Sequence, residues 1–180
     1  MMRIAAIIVL LSVAVPAYAQ TSDRNQPVNI DADKVTVDDR NKVHVFEGNV
    51  VLTQGTLTLK GDKIVITQDT SGFHNGVATA GSGRMVFFRQ KRASDGAWVD
   101  GEAERIEYNS QDERAKLFNR AKIQSAGNLV RGHYIEYDAA TENYLATDAP
   151  SGRPGSNKQG VHVTIQPRNN DSGKAAQAPR

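Results

Sequence analysis

The sequence of 180 residues contains no cysteine, a single tryptophan and only 6% aromatic residues. Without cysteine the protein has no disulfide scaffold, thiolate metal site, iron–sulfur site or cysteine nucleophile. Its 22 lysine and arginine residues nearly balance 20 acidic residues, which gives a net charge of +2. A dedicated nucleic-acid-binding protein would show a strong basic excess, so no nucleic-acid partner is predicted. Beyond residue 19, no stretch is long enough and apolar enough to span a membrane.

The first 19 residues have the three-part layout of a secretory signal peptide. Arg3 precedes an apolar run over residues 4–15, Pro16 ends the run, and Ala17-Tyr18-Ala19 places small residues at the cleavage site. The alternative is an N-terminal membrane anchor, but the apolar run is short for a span. We therefore expect cleavage after residue 19 and a periplasmic location.

From Val28 onward, short runs alternate apolar and polar residues and are rich in β-branched side chains. Asp, Asn and Gly, which tolerate turn dihedrals, separate the runs, for example at 38–41 and 54–56. This pattern predicts an all-β fold made of antiparallel hairpins. One hairpin is expected from 83–88 to 98–99, and the last one from 144–146 to 161–165.

The alternating region, residues 28–166, is predicted to form one domain. The preceding residues 20–27 are polar and are predicted to be a flexible segment. Loops are expected at 69–82 and 150–160. The tail, residues 167–180, has no apolar periodicity and is predicted to be disordered.

The two halves of the domain match each other weakly at an offset of 71 residues. Over residues 28–66 the offset aligns identical residues at four places: Val28 with Val99, Ala32 with Ala103, Gly61 with Gly132, and Ile64 with Ile135. A chance alignment of β-rich sequence is the alternative explanation. The Ala, Glu, Arg and Lys content of residues 103–121 favours a helix by propensity. If the repeat is real, these residues correspond to 32–50 and are predicted to form strand–turn–strand instead.

Residues typical of catalysis or metal binding form no local motif in this sequence. The four histidines share no ligand spacing, and no G-x-S-x-G nucleophile elbow occurs. Asp31-Ala32-Asp33 begins like a calcium-binding loop, but Val35 and Thr36 stand where a ligand and a glycine belong. We therefore predict no metal, no cofactor and no catalytic residue. A carboxylate pair formed by tertiary contact would be the route to a carbohydrate-active enzyme.

Both terminal strands of the predicted domain are apolar at alternate positions. The candidate assembly edges are Val28 and Ile30 at one end and Val161, Val163 and Ile165 at the other. Exposed edge strands can pair with another chain through main-chain hydrogen bonds, unless loops or tails cover them. The alternation leaves two interpretations of the interior, a packed sandwich and a groove for an apolar ligand.

Three stretches resemble the OstA-like (organic solvent tolerance) family of lipopolysaccharide-transport proteins. They are QPVNIDAD at 26–33, FEGNVVLTQG at 46–55 and LKGDKI at 59–64. The resemblance runs from about Gln26 to Asp138 and more weakly to about Gln166. The second copy departs from the family pattern, because Asn119-Arg120-Ala121 stands where the family often has Gly-Asn-Ala. The short length and the leader favour the soluble bridge component of the pathway.

This resemblance implies an open, twisted, antiparallel β-jellyroll with an apolar groove. It implies that the groove binds the lipid A portion of lipopolysaccharide on the way from the inner to the outer membrane. The implied partners are a membrane-anchored OstA-like protein of the LptC type, an outer-membrane translocon of the LptD type, and further copies in head-to-tail self-association. The implied protein is not an enzyme. The competing hypothesis is a periplasmic β-sandwich scaffold that binds envelope proteins without carrying lipid.

Twelve side chains are predicted to line the groove. Val28 and Ile30 fall on the family's N-terminal strand, and Phe88 and Tyr108 fall on its central hairpin. Alternation alone adds the other eight, and a bulge of one residue would invert any of them. These eight are Val35, Val37, Val50, Leu52, Leu59, Ile106, Ile123 and Ile135.

Overall fold

The alternating runs form twelve strands in the computed structural model, which describes residues 23–69, 72–149 and 160–166. In chain order they are β1 (Val28–Asp31), β2 (Lys34–Asp38), β3 (Val43–Gln54), β4 (Leu57–Asp69), β5 (Gly72–Thr79), β6 (Val86–Lys91), β7 (Trp98–Ala103), β8 (Arg105–Asn109), β9 (Arg114–Ser125), β10 (Asn128–Asp138), β11 (Asn143–Thr147) and β12 (His162–Thr164). A turn of 3-10 helix, Asp23–Asn25, precedes β1. Within these ranges, no helix has the length and apolarity needed to cross a membrane. The predicted all-β architecture is confirmed.

Four long strands, β3, β4, β9 and β10, bend in the middle and contribute to two sheets. In β3, residues 43–47 pair with β2, whereas residues 51–54 pair with β1. In β4, residues 63–69 pair with β5, whereas residues 58–60 pair with β6. The first sheet therefore runs β2-β3-β4-β5-β8-β9-β10-β11, and the second runs β1-β3-β4-β6-β7-β9-β10-β12. Every pairing is antiparallel.

The 71-residue repeat is confirmed by the strand boundaries. Strands β8, β9 and β10 begin at residues 105, 114 and 128, each 71 positions after the starts of β2, β3 and β4. β7 is the counterpart of β1, and β12 is the counterpart of β6, because the members of each pair occupy equivalent places beside the long strands. Residues 103–121 are accordingly strands joined by a turn.

The two sheets are continuous along one side, where the long strands bend from one sheet into the other, and we call this side the spine. Along the opposite side the strand ends of the two sheets lie next to each other without pairing, and we call this side the seam. The spine consists of the bends of the long strands, at 48–49 and 61–62 in the first repeat and at 119–120 and 132–133 in the second. The seam is flanked by hairpin turns, at 55–56, 92–97 and 126–127 in the second sheet and at 39–42, 110–113 and 139–142 in the first.

In β3 and β9 the bends at the spine are bulges in which two consecutive residues adopt left-handed backbone angles. Gly48 has φ +81° and Asn49 has φ +46°, and the corresponding Asn119 and Arg120 have φ +62° and +48°. Asp33 closes the first bend, because its N–H donates to the Gly48 carbonyl at 3.0 Å and its carboxylate accepts from Asn49 Nδ2 at 2.9 Å. Asp33, one of the two acids that begin like a calcium-binding loop, therefore holds the bend between the two sheets.

A longer acid performs the same task in the second repeat. Glu104 stands at the position of Asp33, and its N–H donates to the Asn119 carbonyl at 3.2 Å. Its carboxylate accepts from Asn119 Nδ2 at 3.2 Å and from Arg120 Nε at 2.7 Å. A Cβ on Gly48 would lie 2.8 Å from the Asp33 Cβ. The bend residue next to the shorter acid Asp33 is therefore a glycine, Gly48, whereas the one next to the longer Glu104 is an asparagine, Asn119.

Two sequence-based expectations are corrected by the fold. The expected loop at 69–82 contains strand β5, which lies between β4 and β8 and carries small residues there, Gly76 and Ala78. The expected hairpin from 144–146 to 161–165 does not form, because β11 and β12 pair with opposite ends of β10. In the segment predicted to be flexible, Asp23 accepts hydrogen bonds from Thr56.

Several other expectations fall on parts of the chain outside the described residues. They are the signal peptide at 1–19, the start of the polar segment at 20–22, nearly all of the loop at 150–160, and the tail at 167–180.

The bend in β3 is predicted to require glycine at position 48 for two reasons, its left-handed backbone angle and its close approach to Asp33. Gly48 and Gly83 share φ +81°, but a Cβ would overlap Asp33 at Gly48, whereas nothing lies within 4 Å at Gly83. We expect Gly83→Ala to lower the free energy of unfolding by about 1–2 kcal/mol through backbone strain. Gly48→Ala should lower it by about 1–3 kcal/mol more through overpacking. Urea denaturation measures both, and equal losses would contradict the assigned role of Asp33.

Candidate functional site

The space between the two sheets is lined by most of the side chains that sequence alternation predicted. Eight of the twelve are no more than 2% exposed: Val50, Leu52, Leu59, Phe88, Ile106, Tyr108, Ile123 and Ile135. Val28 and Ile30 are partly buried and pack against this cluster. Val35 and Val37 lie on the unpaired edge of β2 and are 54% and 50% exposed. The structure therefore brings ten of the predicted residues together and leaves two at one end.

The interior is packed in this conformation. Phe88 lies at its centre, where its ring contacts those of Tyr108 and Tyr137 at centroid distances of 6.4 and 6.2 Å. A concavity of about 90 Å³ lies at the N-terminal end, where His44 and Gln68 line it together with apolar side chains such as Val28 and Ile30. That volume equals about three molecules of liquid water. A concavity of this size cannot hold an acyl chain, so an acyl chain entering the interior would require the two sheets to move apart.

The N-terminal segment closes one part of the seam. The Asp23 carboxylate accepts from Thr56 N at 2.7 Å, from Thr56 Oγ1 at 2.6 Å and from Gln90 Nε2 at 2.9 Å. These three donors belong to the second sheet. Arg24 Nε reaches the first sheet, 3.9 Å from Glu113 Oε1. Residues 23 and 24 thus bridge the two sheets.

A second bridge crosses the seam further along the chain. Glu142, in the turn between β10 and β11, accepts from Ser94 N at 2.8 Å and from Ser94 Oγ at 2.5 Å. Arg92 Nε lies 3.9 Å from the same carboxylate. The hydrogen bonds from Ser94, followed by the charge of Arg92, hold the pKa of Glu142 below its usual value. The ionised carboxylate therefore stabilises the closed seam.

Apolar side chains are exposed at both ends of the jellyroll. Val35 and Val37 lie at the N-terminal end, on β2. At the C-terminal end the exposed apolar side chains, on or beside β11 and β12, are Tyr144, Leu145, Val161, Val163 and Ile165. Strands β1, β2, β11 and β12 each have one edge without a partner among the described residues. The predicted assembly edges are therefore placed at opposite ends of the molecule.

A polar concavity of about 690 Å³ lies outside the spine of the second repeat. Its cations are partly neutralised, because Lys122 Nζ lies 3.2 Å from Glu102 and Arg120 Nε lies 2.7 Å from Glu104. In the described ranges, no three His, Asp or Glu side chains are grouped so that they could hold a metal ion. This face is separate from the apolar interior.

Sequence reasoning missed the residues that bridge and line the seam. Asp23 lies in a segment predicted to be flexible, and Glu142 lies in a turn, where exposed acids are ordinary. Gln54 and Gln90 carried a usable signal, because each continues the inward phase of an apolar run and is only 3% exposed. A polar residue in phase with a buried face is a candidate for a specific contact.

Comparison with known proteins places this geometry in a family. A sequence model described as LptA/(LptD N-terminal domain) LPS transport protein matches residues 29–143. The lipopolysaccharide export system protein LptH of Pseudomonas aeruginosa is 32% identical over 152 residues, which cover 84% of this chain and 86% of LptH. The lipopolysaccharide export system protein LptA of Escherichia coli K12 is 32% identical over 128 residues, which cover 71% of this chain and 68% of LptA.

A solved structure resembles the whole described fold. The crystal structure of LptH from P. aeruginosa, described as the LptA-homologous periplasmic component of the conserved lipopolysaccharide transport device, matches with a TM-score of 0.73. The match has 30% identity and covers 81% of this chain and 99% of that one. The expected antiparallel β-jellyroll is confirmed by this likeness.

The bridge at Glu142 predicts a pH-dependent contribution to stability. Because the folded pKa lies below the usual value of 4.5, the contribution is present above pH 4.5 and is lost as the pH falls through the folded pKa. We expect Glu142→Gln to lower the free energy of unfolding by about 1 kcal/mol at pH 7 and by less at pH 3. Urea denaturation at the two pH values measures this.

A double-mutant cycle with Ser94→Ala controls for indirect effects. The two substitutions should be coupled at pH 7, because the side chains share the bridge. If the two substitutions lowered the free energy of unfolding additively at pH 7, the bridge between Ser94 and Glu142 would be contradicted.

Proposed function

The chain belongs to the LptA/(LptD N-terminal domain) family of lipopolysaccharide transport proteins, and on that premise we propose that it carries lipopolysaccharide through the periplasm with the acyl chains between its two sheets. The observation that carries this proposal is the continuous apolar interior that spans both repeats and ends in exposed apolar edges. The leader predicted at 1–19 supports export to the compartment in which LptH is described as working. The family is one of transport proteins, and we assign this chain no catalytic residue.

Burial of hydrocarbon supplies the affinity for such a ligand. Each methylene removed from water contributes about 0.8 kcal/mol, so an acyl chain of about twelve carbons gains roughly 10 kcal/mol. A lipid with several such chains cannot cross an aqueous gap unaided. A passage made of similar apolar interiors placed end to end lets the chains move between environments of nearly equal free energy.

The junction between the two repeats supplies a template for joining two molecules. In that junction β6 pairs with β7 in the second sheet, and β5 pairs with β8 in the first. The counterparts of β6 and β5 at the C-terminal end are β12 and β11, and the counterparts of β7 and β8 at the N-terminal end are β1 and β2. We infer that β12 pairs with β1 of the next copy, and β11 with β2.

The template also gives the register of the second-sheet pair. Phe88 lies beside Leu59 on one side and opposite Gly101 on the other. Val163 takes the place of Phe88 beside Val130, and Ile30 takes the place of Gly101 at the 71-residue offset. Val163 is therefore expected opposite Ile30, and Ile165 opposite Val28, which agrees with the candidate assembly edges.

The first-sheet pair follows in the same way. Ala146 takes the place of Ala78, because they lie opposite the equivalent residues Ile135 and Ile64. Ala78 pairs with Ile106 in the internal junction, so Ala146 is expected opposite Val35 and Tyr144 opposite Val37. Their counterparts Ile106 and Tyr108 are 0% and 1% exposed, whereas Val35 and Val37 are at least half exposed. A second copy would bury them as the internal junction buries their counterparts.

The same edges suit the other implied partners. The family description groups LptA with the N-terminal domain of LptD, so the C-terminal edge can meet an LptD-type translocon by the same pairing. The N-terminal edge can in turn accept a membrane-anchored partner of the LptC type. These contacts are heterologous, since different surfaces meet, and such contacts propagate rather than close.

Lipid in the interior predicts a face-dependent pattern of photo-crosslinking. A photoreactive phenylalanine analogue at the inward position Phe88 should give lipopolysaccharide adducts in cells. The same analogue at the adjacent outward position Phe87, only partly buried, should give few or none. Lipopolysaccharide blotting of the purified protein measures both. Adducts to partner proteins alone, at both positions, would favour the scaffold hypothesis.

The proposed joint predicts a disulfide between copies. Asn29 and Thr164 are expected opposite each other, by analogy with Asp100 and Arg89. In a chain without native cysteine, Asn29→Cys with Thr164→Cys should give a ladder of linear oligomers on oxidation, because opposed strand residues lie within disulfide reach.

The control pair is Asn29→Cys with His162→Cys, which is two residues out of register. Non-reducing gels and light scattering compare the two. Equal yields from both pairs, or no oligomers from either, would refute the inferred register.

A further inference from the structure

Five polar side chains face the interior at its seam side, each within two residues of the end of its strand. They are Gln54 on β3, Gln90 on β6, Tyr108 on β8, Ser125 on β9 and Tyr137 on β10. On the same strands, two residues nearer the spine, the inward side chains are Leu52, Phe88, Ile106, Ile123 and Ile135. Toward the spine the interior is therefore hydrocarbon. Along the seam these five polar side chains, which we call the rim, lie among buried apolar ones such as Leu57 and Val99.

The rim contains buried polar atoms that have no hydrogen-bond partner in the described part of the chain. These are Oε1 of Gln54 and Gln90, Oη of Tyr108 and Tyr137, and Oγ of Ser125. The Gln90 side chain lies close enough to the Tyr108 hydroxyl to act on its pKa, but the two do not meet hydrogen-bond geometry. A buried polar atom left unsatisfied costs about 1–3 kcal/mol. Native proteins keep few such atoms, and each calls for an explanation. Five of them along the seam indicate that the rim is completed by something outside the chain.

The two glutamine amides are fixed with their oxygen atoms unused. Gln54 Nε2 donates to the carbonyls of Arg24 and Gln26 at 3.0 and 3.1 Å. Gln90 Nε2 donates to Asp23 Oδ2 at 2.9 Å. Because the nitrogen of each amide is held by the N-terminal segment, each Oε1 remains a positioned acceptor at the edge of the hydrocarbon layer.

The two tyrosines supply donors at the same depth. Burial, and then the charge of Glu142, raises the pKa of Tyr137 to about 12. Burial, and then the charges of Glu113 and Asp23, raises the pKa of Tyr108, and the nearby Gln90 amide only partly opposes this. Both hydroxyls are therefore protonated at neutral pH and able to donate.

We propose that the rim is a binding subsite for the amide and ester groups through which acyl chains are joined to a sugar. This rests on the proposed function and assigns the part of the ligand that lies at the seam. An amide N–H of the ligand donates to a glutamine Oε1, and an amide or ester carbonyl accepts from a tyrosine hydroxyl. The chains then extend into the hydrocarbon layer, and the sugar remains outside the seam. Such a rim selects acylated sugars over plain hydrocarbons.

The test removes the two hydroxyls without changing the shape of the interior. In the double variant Tyr108→Phe with Tyr137→Phe, affinity for purified lipopolysaccharide should fall about tenfold or more, because two neutral hydrogen bonds are lost. Affinity for diphenylhexatriene, a fluorescent hydrocarbon without polar groups, should be unchanged. The free energy of unfolding should be unchanged or higher, since two unsatisfied groups are removed.

Tyr134→Phe is the matched control. Its hydroxyl also lies on β10, but on the outer face, where it donates to Glu136 at 2.7 Å, so neither affinity should change. Unaltered lipopolysaccharide affinity in the double variant would overturn the subsite, and so would an equal loss of affinity for both ligands. Wild-type protein that binds neither ligand would contradict the proposed function itself, and the subsite with it.

Discussion

The bend in the four long strands is the constraint on which the rest of this structure depends. In β3 and β9 the bend has left-handed backbone at two consecutive residues, and an acid from the preceding loop holds it, Asp33 in the first repeat and Glu104 in the second. Without the bend, β3 and β4 would continue in one flat sheet with one face exposed to water. With it, the same two strands line both walls of an interior, and the hairpin turns are brought together along the seam.

The bend also explains why the sequence predicted the fold better than the site. Short alternating runs and the 71-residue offset were sufficient to predict strands, turns and the repeat. Alternation failed across the bend, because β4 changes phase near Gly61. Leu57 and Leu59 face inward before it, whereas Ile64 and Ile66 face inward after it. A strict period of two would place one of these pairs outside.

Residues whose role depends on long-range contacts could not be predicted from local pattern. Strand β5 carries little apolar character, because it lies between two neighbours where small residues fit, and composition therefore suggested a loop. Asp23 fastens the N-terminal segment to the second sheet through Thr56 and Gln90, which lie 33 and 67 residues away in the chain. Val35 and Val37 were predicted to face inward, as their counterparts Ile106 and Tyr108 do. Strand β5 of the first repeat covers β8, which carries Ile106 and Tyr108. No described strand lies in the equivalent place beside β2, which carries Val35 and Val37.

That asymmetry between the repeats follows from building an interior out of repeated units. The first repeat covers the start of the second, but nothing in the described chain covers the start of the first or the end of the second. A globular domain would cap these edges with charge, as edge strands usually require. Here the uncovered strands keep the apolar residues that a further unit would bury. The same pairing that joins two halves within one molecule can therefore join molecules, and an interior made in this way has no fixed length.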